Sequence, residues 1–216
     1  PTTQATAAEP ADGDSHDSPA VGVDHLVLTA EDMPEFGWEA VPAADVSGGL
    51  DVLEGFAESV RVDPEHCADV NQEEWLDQAE PGTMAIQAGQ FEGTSYAVAV
   101  TTATDDLPGR ADQVESCPVM TITFPMGDDE LTTEARNTLL DLDAPAGVEE
   151  FAAVAQENSV DMMGQQLLSG SVIITGVVRG IGVSVTAAGT EGPVTEEARD
   201  TAMGVFDAQV EKIRSA

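Results

Sequence analysis

At Pro81-Gly82 the hydrophobic pattern of this chain changes period, from about 3.6 residues to 2, and that change limits the architectures open to it. A spacing near 3.6 gathers apolar side chains on one stripe of a helix, whereas alternation gathers them on one face of a strand. Downstream of the change, Thr83 to Gln90 and Ser95 to Thr102 read as consecutive strands, with Phe91-Glu92-Gly93 suited to a hairpin turn and Tyr96, Val98 and Val100 on one face. Pro118 to Phe124, Leu167 to Thr175 and Val177 to Ala187 are further strands; in the last, Ile181, Val183 and Val185 alternate with Gly182, Ser184 and Thr186. Pro108 to Cys117 reads as a helix. So do Leu131 to Leu142 and Val148 to Gln156, since Leu131, Ala135 and Leu139 fall four apart.

The chain closes with a helix over Thr195 to Arg214. Glu196 and Glu197 stand in its first turn and Lys212 and Arg214 in its last, as the helix dipole favours, and Ala198, Ala202, Val205, Phe206, Val210 and Ile213 form its apolar stripe. Upstream of Pro81, His25 to Leu28 reads as a short extended segment followed by a turn. Leu50 to Val60 and Gln72 to Ala79 have helical spacing, and Asp63-Pro64-Glu65-His66-Cys67 looks like a helix start with proline in its first turn. Strands arriving as adjacent pairs, with helices between and around them, predict an α+β fold: an antiparallel sheet with helices packed on one face.

Composition sets the chemistry around this frame. Forty-one acidic residues against seven basic ones give a formal net charge of −34, and Lys212 is the one lysine. Nucleic acid and anionic membrane surfaces bind through Lys and Arg, so nucleic acid is excluded as a partner. Apolar residues make up 42% of the chain, enough for a core, but aromatics only 4%, so that core is built from Val, Ala, Leu, Ile and Met. There is no run of about 18 apolar residues, the length a membrane-spanning helix needs. Residues 1–22, mostly Thr, Ala, Pro, Asp and Ser, read as a flexible acidic tether ahead of one globular unit over residues 23–216. The chain starts at Pro1 rather than Met, and the expectation is a trimmed form whose N-terminal targeting signal has been removed.

Candidate chemical groups are few. Of three histidines, His16 lies in the tether, leaving His25 and His66. No G-x-S-x-G elbow is present, since Gly93-Thr94-Ser95-Tyr96-Ala97 lacks the second glycine. Arg179-Gly180-Ile181-Gly182 starts like a dinucleotide loop, but neither a third glycine nor a helix follows, and glycine in a strand marks a bulge or a close backbone approach. His66-Cys67 invites a metal reading, yet no C-x-x-C and no second histidine stand nearby. Asp141-Leu142-Asp143 and Asp128-Asp129-Glu130 lack the spacing of a calcium loop. No catalytic residue, metal or cofactor is therefore assigned. Cys67 and Cys117 pair as one disulfide if the chain is secreted, or stand as two buried thiols if it is cytosolic. Trp38, Trp75 and Tyr96 are the candidate ligand-binding aromatics, lining a cleft between the N-terminal helices and the sheet; the alternative for the tryptophans is partial core. Met162-Met163 and Leu167-Leu168 are read as core, with a lipid-accepting cavity as the alternative.

Val60 to Cys67 (VRVDPEHC), the Ser95-Tyr96 strand, a second cysteine just before a strand, Val177 to Val185 (VVRGIGVSV) and the terminal helix together resemble the extracytoplasmic sensor-like domains of mycolic-acid actinobacteria. These include the sensor domain of the mycobacterial serine/threonine kinase H and a group of envelope lipoproteins. The resemblance covers residues 26–214 and implies an antiparallel sheet with helices beside a cleft and no enzymatic activity. It further implies an extracytoplasmic, monomeric domain anchored through an N-terminal lipobox cysteine, binding an envelope lipid, glycan or protein partner. One departure is clear: the kinase sensor domains carry two disulfides, and this chain has cysteines for one. The competing readings are a halophilic acidic protein, whose charge a high-salt cytoplasm would screen, and a small extracytoplasmic hydrolase.

Overall fold

The computed structural model describes residues 19–42, 60–71, 82–104, 107, 109–126, 129–162, 165–189 and 192–216. Residues 1–18 of the tether, the Leu50 to Val60 segment up to residue 59 and the Gln72 to Ala79 segment with Trp75 lie outside them.

Nine strands form one antiparallel sheet. In chain order they are β1 (Glu39–Ala40), β2 (Arg61–Asp63), β3 (Met84–Phe91), β4 (Thr94–Thr101), β5 (Val119–Met126), β6 (Asp129–Leu139), β7 (Glu149–Met162), β8 (Gln165–Val178) and β9 (Ile181–Gly189). Across the sheet the order is β1-β3-β4-β9-β8-β7-β6-β5-β2, so the two N-terminal strands close opposite edges. Among the described residues three α-helices accompany them: α1 (Val23–Leu26), α2 (Arg110–Ser116) and α3 (Glu196–Ser215). Two 3₁₀ helices cover Pro34–Phe36 and Glu65–Asn71. Among the described residues no helix is long and apolar enough to cross a membrane.

The α+β class and the antiparallel sheet are those read from the sequence, but the helices divide between the two faces rather than sharing one. On the first face, cross-strand rows such as Tyr96-Ala187-Val172 and Val98-Val185-Ile174 are buried beneath Ala202, Val205, Phe206, Val210 and Ile213 of α3. On the second, Met120, Ala135 and Val154 are buried with Val114 of α2 and the two cysteines. Neighbouring residues of a strand point to opposite faces. Ala153 belongs to the first core and Val154 to the second, at 2% and 4% exposure, so β7 carries helices on both sides.

Two segments read as helices, Leu131 to Leu142 and Val148 to Gln156, are the strands β6 and β7. A spacing of four satisfies both periods: it is one turn of a helix, and also two steps along one face of a strand. Leu131, Ala135 and Leu139 fit either, and pairing with β5 and β7 decides it. Leu167 and Leu168 are not core. They stand 51% and 50% exposed on β8, one on each face of the sheet. His25 falls in the single turn of α1 rather than in an extended segment. Arg179-Gly180 is the hairpin turn between β8 and β9, with φ of +51° and +71°, while Gly182 is the close approach: a Cβ there would lie 2.9 Å from Thr101 Cγ2.

Helix α3 is capped by Thr195, whose hydroxyl accepts from the Ala198 N–H at 3.1 Å. It also fastens the N-terminal segment. Gln209, fully buried, donates to Leu26 O and accepts from Leu28 N–H, both at 2.8 Å. Lys212 donates to Val27 O at 2.8 Å and pairs with Asp32 at 2.6 Å. Burial alone would raise the Asp32 carboxyl, but Lys212 and the Thr29 N–H and hydroxyl outweigh it and hold it below the ordinary range. Gln209→Leu removes both amide bonds and leaves a buried N–H and C=O unpaired, an expected loss of about 2–6 kcal/mol at about 1–3 kcal/mol per group. Urea unfolding would measure it, and a loss under about 0.5 kcal/mol, the usual scale of a surface substitution, would refute the latch.

Candidate functional site

The candidate site lies where β1 meets the β3–β4 hairpin. Register places two rows of side chains on the second face of the sheet: Glu39-Ala88-Ala97-Thr186, and beside it Gln90-Ser95-Ala188. These rows line a pocket of about 520 Å³. Alanines at 88, 97 and 188 make its floor shallow, so a ligand can approach the sheet closely. Around the floor stand a carboxylate, an amide and two hydroxyls. Together they offer acceptors and donors to a hydrogen-bonding ligand. With a net charge of −34 on the chain, an anion is disfavoured there.

Beside the pocket, residues 36–38 fold over β3. Gly89 makes this possible: a Cβ there would come within 2.5 Å of Phe36 O and 3.0 Å of Trp38 Cε3. Phe36 then holds an aromatic cluster, with Trp38 stacked on it at 4.9 Å and Tyr96 meeting it edge-on at 5.2 Å. Phe36 and Tyr96 both border the pocket, and Trp38 stands behind Phe36, only 6% exposed. Burial pushes the Tyr96 hydroxyl above its ordinary value; hydrogen bonds with Thr201 and Thr94 work against that, and Glu92 and Glu197 reinforce it. The ring thus stays a neutral hydrogen-bonding group between sheet and α3.

Of the three aromatics singled out in the sequence, Trp38 and Tyr96 come together through Phe36, and Trp75 lies outside the described residues. Sequence reasoning missed Phe36, Glu39 and Gln90. The available signal was the run of small residues at 88, 97 and 188, opposite in phase to the buried Tyr96-Val98-Val100 face.

Cys67 and Cys117 form a disulfide at the far edge of the sheet, Cα–Cα 5.7 Å, joining the 3₁₀ helix Glu65–Asn71 to the C-cap of α2. Both cysteines are buried. His66 beside them is exposed, while His25 sits on α1 with the first core, so the two histidines do not meet in one site.

Fold and site together define an α+β protein built on one antiparallel sheet, with a disulfide at one edge and a polar pocket at the other. No protein-family model matches the chain, and no curated protein is similar to it. Solved structures similar to it include the extracellular domain of PknH from Mycobacterium tuberculosis, at 14% identity and a TM-score of 0.49, covering 93% of this chain and 100% of that one. Another is a Mycobacterium smegmatis ortholog of Rv0999, at 16% identity and a TM-score of 0.49, covering 89% of this chain and 97% of that one. The first of these is the extracellular domain of a mycobacterial kinase of the kind that the sequence resembles.

Proposed function

We propose that this chain is a non-enzymatic binding domain that works outside the cytoplasmic membrane. It is one folded unit from Val23 onward, behind an N-terminal tether that leads to a lipid anchor. Its ligand is a neutral, hydrogen-bonding component of the cell envelope, of glycan or lipid-headgroup chemistry, taken in the pocket beside Glu39. The observation that carries this reading is the pocket itself: a small-residue floor ringed by Glu39, Gln90, Ser95 and Thr186. Such a ring binds by hydrogen bonds, and among the described residues neither Ser95 nor Thr186 shares its site with a histidine, since His25 and His66 are not in the pocket lining. Trp38 and Tyr96 contribute by fixing Phe36 in the first core, which anchors the segment that carries Glu39 across β3. The buried disulfide supports the location, because cytosolic thiols are kept reduced; on the halophilic cytoplasmic reading it would not persist.

Native mass spectrometry after incubation with a lipid and glycan extract of an actinobacterial envelope tests this. The wild type should retain an adduct, and Ala97→Phe, which fills the pocket floor, should lose it while keeping its circular dichroism. Absence of any adduct, or an adduct undiminished in the filled variant, would refute the pocket as the site.

A further inference from the structure

We propose that reduction of the Cys67–Cys117 disulfide creates a site for a thiophilic divalent cation, zinc by its chemistry, held by His66, Cys67 and Cys117. The ligand atoms of these three residues already lie within 4.8 Å of one another. A tetrahedral zinc ion, with Zn–S near 2.3 Å, needs its two sulfurs about 3.8 Å apart, and an imidazole nitrogen at about 2.0–2.1 Å. Opening the bridge by a small side-chain rotation meets that requirement.

The sulfurs stay together without the covalent bond because the sheet brings them together. Asp63 pairs with Thr121 in the β2–β5 ladder, and Cys67 lies four residues after the one as Cys117 lies four before the other. In an antiparallel pair these two stretches run the same way out of the ladder, so both cysteines leave it side by side. Each is then fastened separately. The Cys67 N–H donates to Pro64 O at 2.9 Å, the Cys117 N–H to Val114 O at 3.1 Å, and Asn137 Nδ2 donates to Cys117 O at 3.1 Å.

The donor set suits a borderline-soft cation: two thiolates and one imidazole, with the fourth position left to water. His66 is exposed, so the ion enters from solvent on that side, and the −34 net charge concentrates dications at the surface. The chemistry balances. A dithiol reductant gives two electrons and two protons to the disulfide and becomes a disulfide itself, leaving two thiols. The cation then displaces both thiol protons and binds the neutral imidazole. Reoxidation by a disulfide-exchange partner releases it.

The test is cobalt(II) titration of the full chain, followed by the thiolate-to-cobalt charge-transfer absorption, with the chain either oxidised or reduced by a phosphine. The oxidised chain should be silent. The reduced chain should bind one equivalent, give it up to zinc and unfold at a higher temperature with zinc than without. His66→Ala should keep the near-ultraviolet circular dichroism of the reduced chain and weaken binding by more than about a hundredfold, beyond the roughly 10–100-fold that loss of a supporting residue costs. A reduced chain with no charge-transfer absorption would overturn the proposal. Undiminished affinity in His66→Ala, or binding only by a reduced chain that zinc does not return to its native dichroism, would do so equally.

Discussion

Phe206→Ala should lose about 3–5 kcal/mol of stability, the range for removing a buried aromatic ring from a core that cannot collapse around the void. Phe206 is fully buried on α3, and its ring meets Phe151 edge-to-face at 5.7 Å. Its Cζ lies 3.2 Å from where a Cβ on Gly176 would be, so the ring sits directly on the backbone of β8. Glycine at 176 admits the ring beside the Val148 side chain, whose Cγ1 would lie 2.5 Å from the same Cβ. Urea unfolding of the two proteins gives the difference. A loss below about 1 kcal/mol would mean that α3 and the sheet reclose over the gap, contrary to the tight packing described above.

Removing the disulfide should cost a similar amount by a different route. Cys67 and Cys117 are 50 residues apart, and the chain-entropy relation gives about 4 kcal/mol for a loop of that length. Cys67→Ser/Cys117→Ser, compared with the oxidised wild type, isolates this effect without leaving a lone thiol. Domains of this kind are stable by about 5–15 kcal/mol, so the double variant should remain folded at room temperature and melt earlier. A melting temperature unchanged by the double substitution, or a native mass equal to that of the fully reduced chain, would show that the bridge contributes nothing or is not formed.

How much was legible in advance follows from which signals are local. The β3–β4 hairpin was readable because Tyr96, Val98 and Val100 alternate against polar or small partners and Glu92-Gly93 supplies the turn, with φ of +50° and +81°. Helix α3 was readable because its stripe, its Thr195 cap and its terminal charges all agree, and each buried position expected in it is buried. The strands β6 and β7 were not, because spacings of four residues are common to both periods, and β7 is buried on both faces and so does not alternate. Leu167-Leu168 misled for the opposite reason: an apolar pair says nothing about whether another element lies over it, and both side chains, one on each face of β8, stand half exposed. Of the pocket's lining, Tyr96 stood out as the one tyrosine of the chain, but Glu39 and Gln90 are ordinary surface residues in a chain with 41 acids and carried no signal.

The sequence alone determined the α+β class, the antiparallel hairpins, the terminal helix, the strongly acidic surface and the presence of one pair of cysteines able to bridge. Those are properties of residue spacing, turn chemistry and net charge, and they act within a few residues or over the whole chain at once. Tertiary structure decided the division of the helices between two faces, the meeting of Glu39 with Ala97 and Thr186, and the convergence of His66, Cys67 and Cys117. Each depends on register across a sheet whose first two strands close its opposite edges. Register is set by which rows of side chains pack beneath which helix, a comparison among distant segments that no local pattern contains.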